Sequence, residues 1–284
     1  MKTLKAFILI VVVFTSLNLY AQNKFAVSIN YTPVLNTPDY ETIFGGKLGN
    51  RVKLDKEGLI REMEYIALPN TVFEVMEILQ KGDYDMYRVI SQDYPYRGDY
   101  YIDSRFVRLV DTEPETRKKI LPSKEEIIKN MNALEGYQYM WGGNAGDGVS
   151  EMLNYYQPKS EITEDVKNNW MMKGVDCSGL IYQATNGATP RNTSTLCTYG
   201  SGIEIENLSA EEISKKLQPL DIIVWSGHVI IVLDEKTVIE STPAEGVHKS
   251  DLVSRINSVM KERTAVNDWA STTGKRFVIR RWAE

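Results

Sequence analysis

The stretch from residue 174 to 184 restricts the fold of this chain more than any other. It is a glycine-bearing turn, Gly174-Val175-Asp176, that runs directly into Cys177-Ser178-Gly179-Leu180-Ile181-Tyr182-Gln183-Ala184. The apolar run predicts a short buried helix with Cys177 in its first turn. Helix N-termini present unpaired N–H groups and partial positive charge. A thiol there is expected to ionise below the ordinary value of ~8.5. Upstream, Ser123-Lys124-Glu125-Glu126 fits a capping box that opens a helix, and Ser209-Ala210-Glu211-Glu212 fits another. Downstream, segments 221–224, 229–233, 237–241 and 276–282 are rich in β-formers and read as strands. A helix, a thiol-bearing helix and then a run of strands is an α+β order.

A cysteine nucleophile needs a base, and the chain has only two histidines. His228 lies where two apolar runs meet at Ser226-Gly227, so a strand carries it; His248, in Gly246-Val247-His248-Lys249, reads as a surface residue. A thiol on a helix tip and an imidazole on an adjacent strand are the two parts of a cysteine hydrolase. The competing reading of Cys177 is a structural disulfide to Cys197. The setting of Cys177 favours reactivity, whereas Cys197 reads as a small buried hydrophobe. Two histidines and two cysteines show no metal-ligand spacing, so neither metal nor cofactor is expected.

Residues 1–21 read as an export signal: Lys2 and Lys5 precede an apolar run from Ala6 to Phe14, with Leu19-Tyr20-Ala21 before the expected cleavage. That run is shorter than the ~20 residues of a membrane span. A soluble product in the periplasm or outside the cell is therefore expected. Losing two lysines and no acid takes the formal net charge from −5 to −7, which argues against a nucleic-acid partner. Segment 22–110 shows short strands and frequent turns, the pattern of a small β-barrel. Phe25, Val27 and Ile29 alternate with polar or small residues, and 70–78, 85–90 and 100–107 read as further strands. Residues 111–121, charged and holding Pro114, read as a linker, leaving 122–284 as a second domain.

Three motifs in order, Tyr139-Met140-Trp141-Gly142-Gly143, Gly174-Val175-Asp176-Cys177-Ser178-Gly179-Leu180 and Gly227-His228-Val229-Ile230-Ile231, resemble the NlpC/P60 family of cell-wall cysteine peptidases. The upstream segment resembles a bacterial SH3 domain. The resemblance implies a papain-like α+β catalytic domain behind an SH3-like barrel, acting on murein-derived peptides at γ-D-glutamyl–diamino acid bonds. It implies Cys177 as nucleophile, His228 as base, Glu240 as the residue that orients the imidazole, and Tyr139 beside the oxyanion. Glu240 departs from the family, which usually has His, Asn or Gln there. Asn192-Thr193 stands where the family has an Asp-Ser pair that holds the peptide's free amine. Trp141, Asp176 and Ser178 are further expected substrate contacts, Asp176 having the alternative of stabilising its turn. Tyr101, with Tyr100 and Asp103, is the expected barrel contribution to the cleft. Residues 144–173 are much longer than the family pattern and read either as a lid or as an elaboration packed on the barrel. An amidase or acyltransferase on the same scaffold, and a non-catalytic wall-binding module, are the alternative functions. The oligomeric state is not legible.

Overall fold

The computed structural model describes residues 24–270 and 274–283. The expected export segment lies outside the described residues. The fold is mixed α and β and mostly sheet. Most of segment 24–110 forms one seven-stranded antiparallel sheet. Across it run Met63–Ala67, Thr32–Leu35, Tyr100–Asp103, Asp85–Ile90, Val72–Gln80, Lys24–Ser28 and Val107–Val110. Two sequence expectations change here. The first strand ends at Ser28, so Ile29 leaves the alternation and is exposed. The run 100–107 is interrupted because Asp103 accepts the Arg105 N–H at 2.8 Å and caps a 3₁₀ turn, Ser104–Phe106.

The second sheet is ordered Ser201–Gly202, Arg276–Arg281, Ile222–Trp225, His228–Val232, Thr237–Thr242 and Gly246–Asp251. Period-2 alternation gives it two apolar faces. Val224, Val229, Ile231 and Ile239 share a core with Cys177, Leu180 and Ile181 of the helix Cys177–Ala184. Trp225, Ile230, Val232 and Val238 share a separate core with Leu252, Ile256 and Val259 of the helix Leu252–Met260. The sheet therefore lies between the thiol-bearing helix and a helix that the sequence reading did not anticipate. Both capping boxes form as expected, at Ser123 with Glu126 and at Ser209 with Glu212.

Residues 144–173 settle onto the first sheet. Val149, Met152, Tyr156, Trp170 and Met172 belong to the same core as Tyr40, Phe44 and Ile102. Trp170 is fully buried and donates its indole N–H to the Tyr156 carbonyl at 2.8 Å. Tyr156 in turn donates to Asp103 Oδ2 at 2.6 Å, and Arg105 lies over the rings of Tyr84, Tyr155 and Tyr156. None of these residues lines the cleft that holds Cys177. Of the two readings of this segment, the structure has the packed elaboration rather than a lid.

Candidate active site

Asp176 caps the thiol-bearing helix by accepting the Gly179 N–H at 2.6 Å. Gly179 is required at this position, because a Cβ there would come within 1.8 Å of the Gly143 carbonyl oxygen. The loop that carries Trp141 thus lies directly against the first turn of the helix. Gly142 closes the other side: its φ is +68°, and a Cβ would meet the Met63 carbonyl at 2.8 Å. A Cβ at Gly143 would likewise come within 2.6 Å of the Gly174 carbonyl oxygen, so both glycines of Trp-Gly-Gly mark close backbone approaches.

Beneath this turn lies Arg191, 2% exposed. Its guanidinium grips the Asp176 carboxylate through both oxygens, at 3.0 and 2.8 Å. It also donates to Ser178 Oγ at 2.9 Å, Gly143 O at 3.1 Å and Asn144 Oδ1 at 3.1 Å. Asn144 reaches the first sheet, exchanging hydrogen bonds with the Ile66 N–H and C=O at 3.0 and 2.8 Å. Burial works against the Arg191 charge, and the adjoining Asp176 more than restores it. Asp176 and Ser178, expected at the substrate, do line the cleft, and their polar atoms also belong to this frame.

The cleft encloses about 360 Å³. Cys177, Tyr139 and Trp141 line it with Asn192 and Thr193, and Arg61, Glu64 and Tyr94 enter from the first sheet. A larger hollow of about 500 Å³ lies beneath residues 113–119 on the first sheet and holds neither thiol nor imidazole. Tyr101 does not line the cleft, and neither do Tyr100 and Asp103. Asp103 is fully buried and paired with Arg105, and Tyr100 is buried at 5% exposure. The first sheet instead presents the loop around Tyr94, which stacks on Tyr65 at 4.2 Å and donates to Glu64 at 3.1 Å. Asn192 Nδ2 donates to the Tyr94 hydroxyl at 3.3 Å, and Thr193 Oγ1 accepts the Gly227 N–H at 3.0 Å. Trp141 stands at the rim, 37% exposed, with the Arg61 guanidinium 4.3 Å above its ring. Burial first, then the Asp176 and Cys177 charges, push the Tyr139 phenol well up. Tyr139 therefore stays a hydroxyl donor facing the cleft.

His228 and Glu240 come together as expected, with Nε2 and Oε2 2.6 Å apart. Arg255, from the unanticipated helix, donates Nε to Glu240 Oε1 at 2.5 Å and a second N–H to Oε2 at 2.9 Å. Burial would raise the Glu240 carboxyl, but hydrogen bonds from Arg255 and His228, with their charges, outweigh it and hold it at about 2. His248 lies beside this cluster, Nε2 3.9 Å from Glu240 Oε1, rather than on an open surface.

The structure does not join the thiol to this cluster. His228 and Glu240 follow the register of Ile230, Val232 and Val238, on the face that meets the Arg255 helix. Cys177 belongs to the opposite face, and its Sγ contacts the Gly227 carbonyl at 4.0 Å rather than the imidazole. Both cysteines are free thiols, so the disulfide alternative is not formed. The expectation of a lowered thiol value also fails. Burial, then the Asp176 charge, push the Cys177 thiol up to about 12, against smaller lowering by backbone N–H groups and Arg191. Desolvation disfavours the thiolate more than the helix terminus favours it. Alkylation of Cys177 by iodoacetamide, followed by peptide mapping, is accordingly expected to accelerate from pH 7 to 10 at about tenfold per unit. A rate that levels off near neutrality would contradict this.

No family model matches the sequence, and no curated protein matches it. Among solved structures the neighbours are NlpC/P60 proteins. An NlpC/P60 family protein from Bacillus cereus ATCC 10987 is 14% identical, with 93% of this chain and 65% of that one covered and a TM-score of 0.35. NlpC1 from Trichomonas vaginalis is 15% identical, with 91% and 68% covered and a TM-score of 0.33. NlpC2 from the same organism is 14% identical, with 91% and 72% covered and a TM-score of 0.32. Likeness at this level is too weak to transfer a residue role or an activity.

Proposed function

We propose that this protein is an exported cysteine peptidase that cuts murein-derived peptides at the bond between γ-D-glutamate and a diamino acid. The observation that carries the reading is the placement of Cys177. It opens a helix and lines the cleft together with Tyr139, its Sγ 4.0 Å from the carbonyl of Gly227, the residue before His228. The sequence motifs around these three residues, taken in order, supply the family resemblance.

The chemistry follows from these roles. Sγ attacks the γ-carbonyl carbon while its proton passes to His228 Nδ1, the ring nitrogen that Glu240 leaves unoccupied. The oxyanion is met by the Tyr139 hydroxyl and the Cys177 backbone N–H. The C–N bond breaks, the imidazolium protonates the departing amine, and water then hydrolyses the thioester to restore the thiol. Because His228 lies on the sheet face opposite Cys177, contact between Sγ and Nδ1 requires the start of the strand, at Ser226-Gly227-His228, to turn over. Gly227 is suited to this, with φ of +109° and no atom within 4 Å of where a Cβ would stand. Where the family's acid is replaced by Asn192, Glu64 reaches the cleft through Tyr94 and offers a carboxylate for the free amine of the peptide.

The test is incubation of the purified protein with L-Ala-γ-D-Glu-diaminopimelate and its N-acetylated form, followed by mass spectrometry. Release of diaminopimelate from the free-amine peptide, with the acetylated form cut at least tenfold more slowly, is the expected result, the margin following from loss of one charge-assisted contact of about 1.5–3 kcal/mol. Cleavage of neither would overturn the reading.

A further inference from the structure

We infer that Arg61 sets the specificity of the cleft: its guanidinium takes the free α-carboxylate of the γ-linked glutamate and so separates that substrate from its α-amide. For the identity of the ligand this rests on the proposed peptidase reading. Arg61 is the one cationic side chain among the residues that line the cleft. The anionic ones are Glu64 and Asp176, and Asp176 is already matched through both oxygens by Arg191. Glu64 accepts from Asn36 and Tyr94, both neutral. The charges left for a ligand are thus a cation at Arg61 and an anion at Glu64, three residues on. The acyl half of the proposed substrate carries the complementary pair. Its alanine amine and its glutamate α-carboxylate stand at the two ends of one amide linkage, with the scissile γ-carbonyl on the side arm. An amine at Glu64 therefore brings the α-carboxylate toward Arg61. The carboxylates of the diamino acid belong to the leaving half, beyond the bond that Cys177 attacks.

The guanidinium is held in advance for this contact. The Trp141 ring lies 4.3 Å from its Cζ, a cation–π contact that fixes the group without using its N–H donors. Gly142 packs on the Met63 carbonyl, so the loop that carries Trp141 is tied to the chain that carries Arg61. Asp55 accepts from Nε at 2.5 Å, and is itself pinned by the Glu57 and Leu59 N–H groups at 2.8 and 2.9 Å. Nη2 pairs with Glu57, whose side chain is 54% exposed. Exposed pairs contribute little, so an incoming carboxylate can displace Glu57. Nη1 donates to no protein group among the described residues. The Nη1–Nη2 edge is therefore the one on which a carboxylate is taken through both oxygens. An α-amide offers one acceptor, sets an NH2 group against the other donor and brings no charge. The Arg61 charge is also felt at the Tyr139 phenol, which places the guanidinium within reach of the reacting acyl group.

The experiment compares L-Ala-γ-D-Glu-diaminopimelate with the same peptide carrying an α-amide on its glutamate. Binding is measured by calorimetry on Cys177→Ala, so that neither peptide is consumed. The acid is expected to bind at least about tenfold more tightly than the amide. With Arg61→Gln added, the preference falls to within about threefold, and with Arg61→Lys, which keeps the charge without the fork, it lands between. In the protein with Cys177 intact the same preference appears in kcat/KM and is carried by KM. A merely structural role for Arg61 would weaken both peptides alike and keep their ratio. Equal binding of acid and amide before Arg61 is changed would overturn the inference, as would a preference that survives Arg61→Gln, or binding of neither peptide. The two readings fail separately. An Arg61-dependent preference in a protein that releases no diaminopimelate keeps the Arg61 assignment and removes the peptidase reading. Release of diaminopimelate from acid and amide with equal kcat/KM does the reverse.

Discussion

Arg191→Met is expected to cost about 3–5 kcal/mol of folding stability, measured by urea unfolding, because it strands a buried carboxylate. Asp176 is 8% exposed, and both its oxygens receive Arg191. The methionine fills the space left by the stem but satisfies none of the five hydrogen bonds to Asp176, Ser178, Gly143 and Asn144. The damage falls on the first turn of the thiol-bearing helix and, through Asn144, on the Met63–Ala67 strand. Activity is expected to fall with it. Arg191→Lys keeps a charge but not the planar fork that spans these partners, so it lands between wild type and methionine. A loss below about 1 kcal/mol in Arg191→Met, the size of an exposed ion pair, would show that the frame does not hold the site together.

Cys177→Ala is expected to lower turnover by at least about 10⁴-fold while stability changes by no more than about 1 kcal/mol. The side chain lost is small, and its polar contact is the 4.0 Å approach to Gly227 O. The helix cap, the glycine contacts and the Arg191 frame do not involve Sγ. Cys197, fully buried in the same core, supplies the contrast: Cys197→Ala should retain activity. Residual turnover in Cys177→Ala above a thousandth of wild type would place the nucleophile elsewhere.

Legibility in the sequence tracks how local each determinant is. The capping boxes at Ser123 and Ser209 involve residues three apart, and both were readable. The pairing of His228 with Glu240 was implied by the family resemblance, and the two residues meet from neighbouring strands. Arg255 was not readable, because its partner is 15 residues away on another element. The role of Arg191 was hidden for the same reason, its partners reaching back 47 residues to Asn144. The thiol is the sharpest case. Helix position is a local property and pointed toward ionisation, whereas desolvation depends on tertiary packing and reverses the sign. The family resemblance implies an aromatic or acidic barrel residue at the cleft, with Tyr101, Tyr100 and Asp103 as candidates. The packing of residues 144–173 buried Asp103 instead and left Tyr94 and Glu64 to reach the cleft.

The central claim is that Cys177 attacks the peptide, and a covalent intermediate tests it most directly. The purified protein is mixed with L-Ala-γ-D-Glu-diaminopimelate, quenched in acid within milliseconds and examined by intact-mass and peptide-mapping mass spectrometry. The account predicts an L-Ala-γ-D-Glu acyl group on the peptide that contains Cys177, absent in Cys177→Ala. Release of diaminopimelate with no adduct, or with an adduct on any other residue, would contradict it.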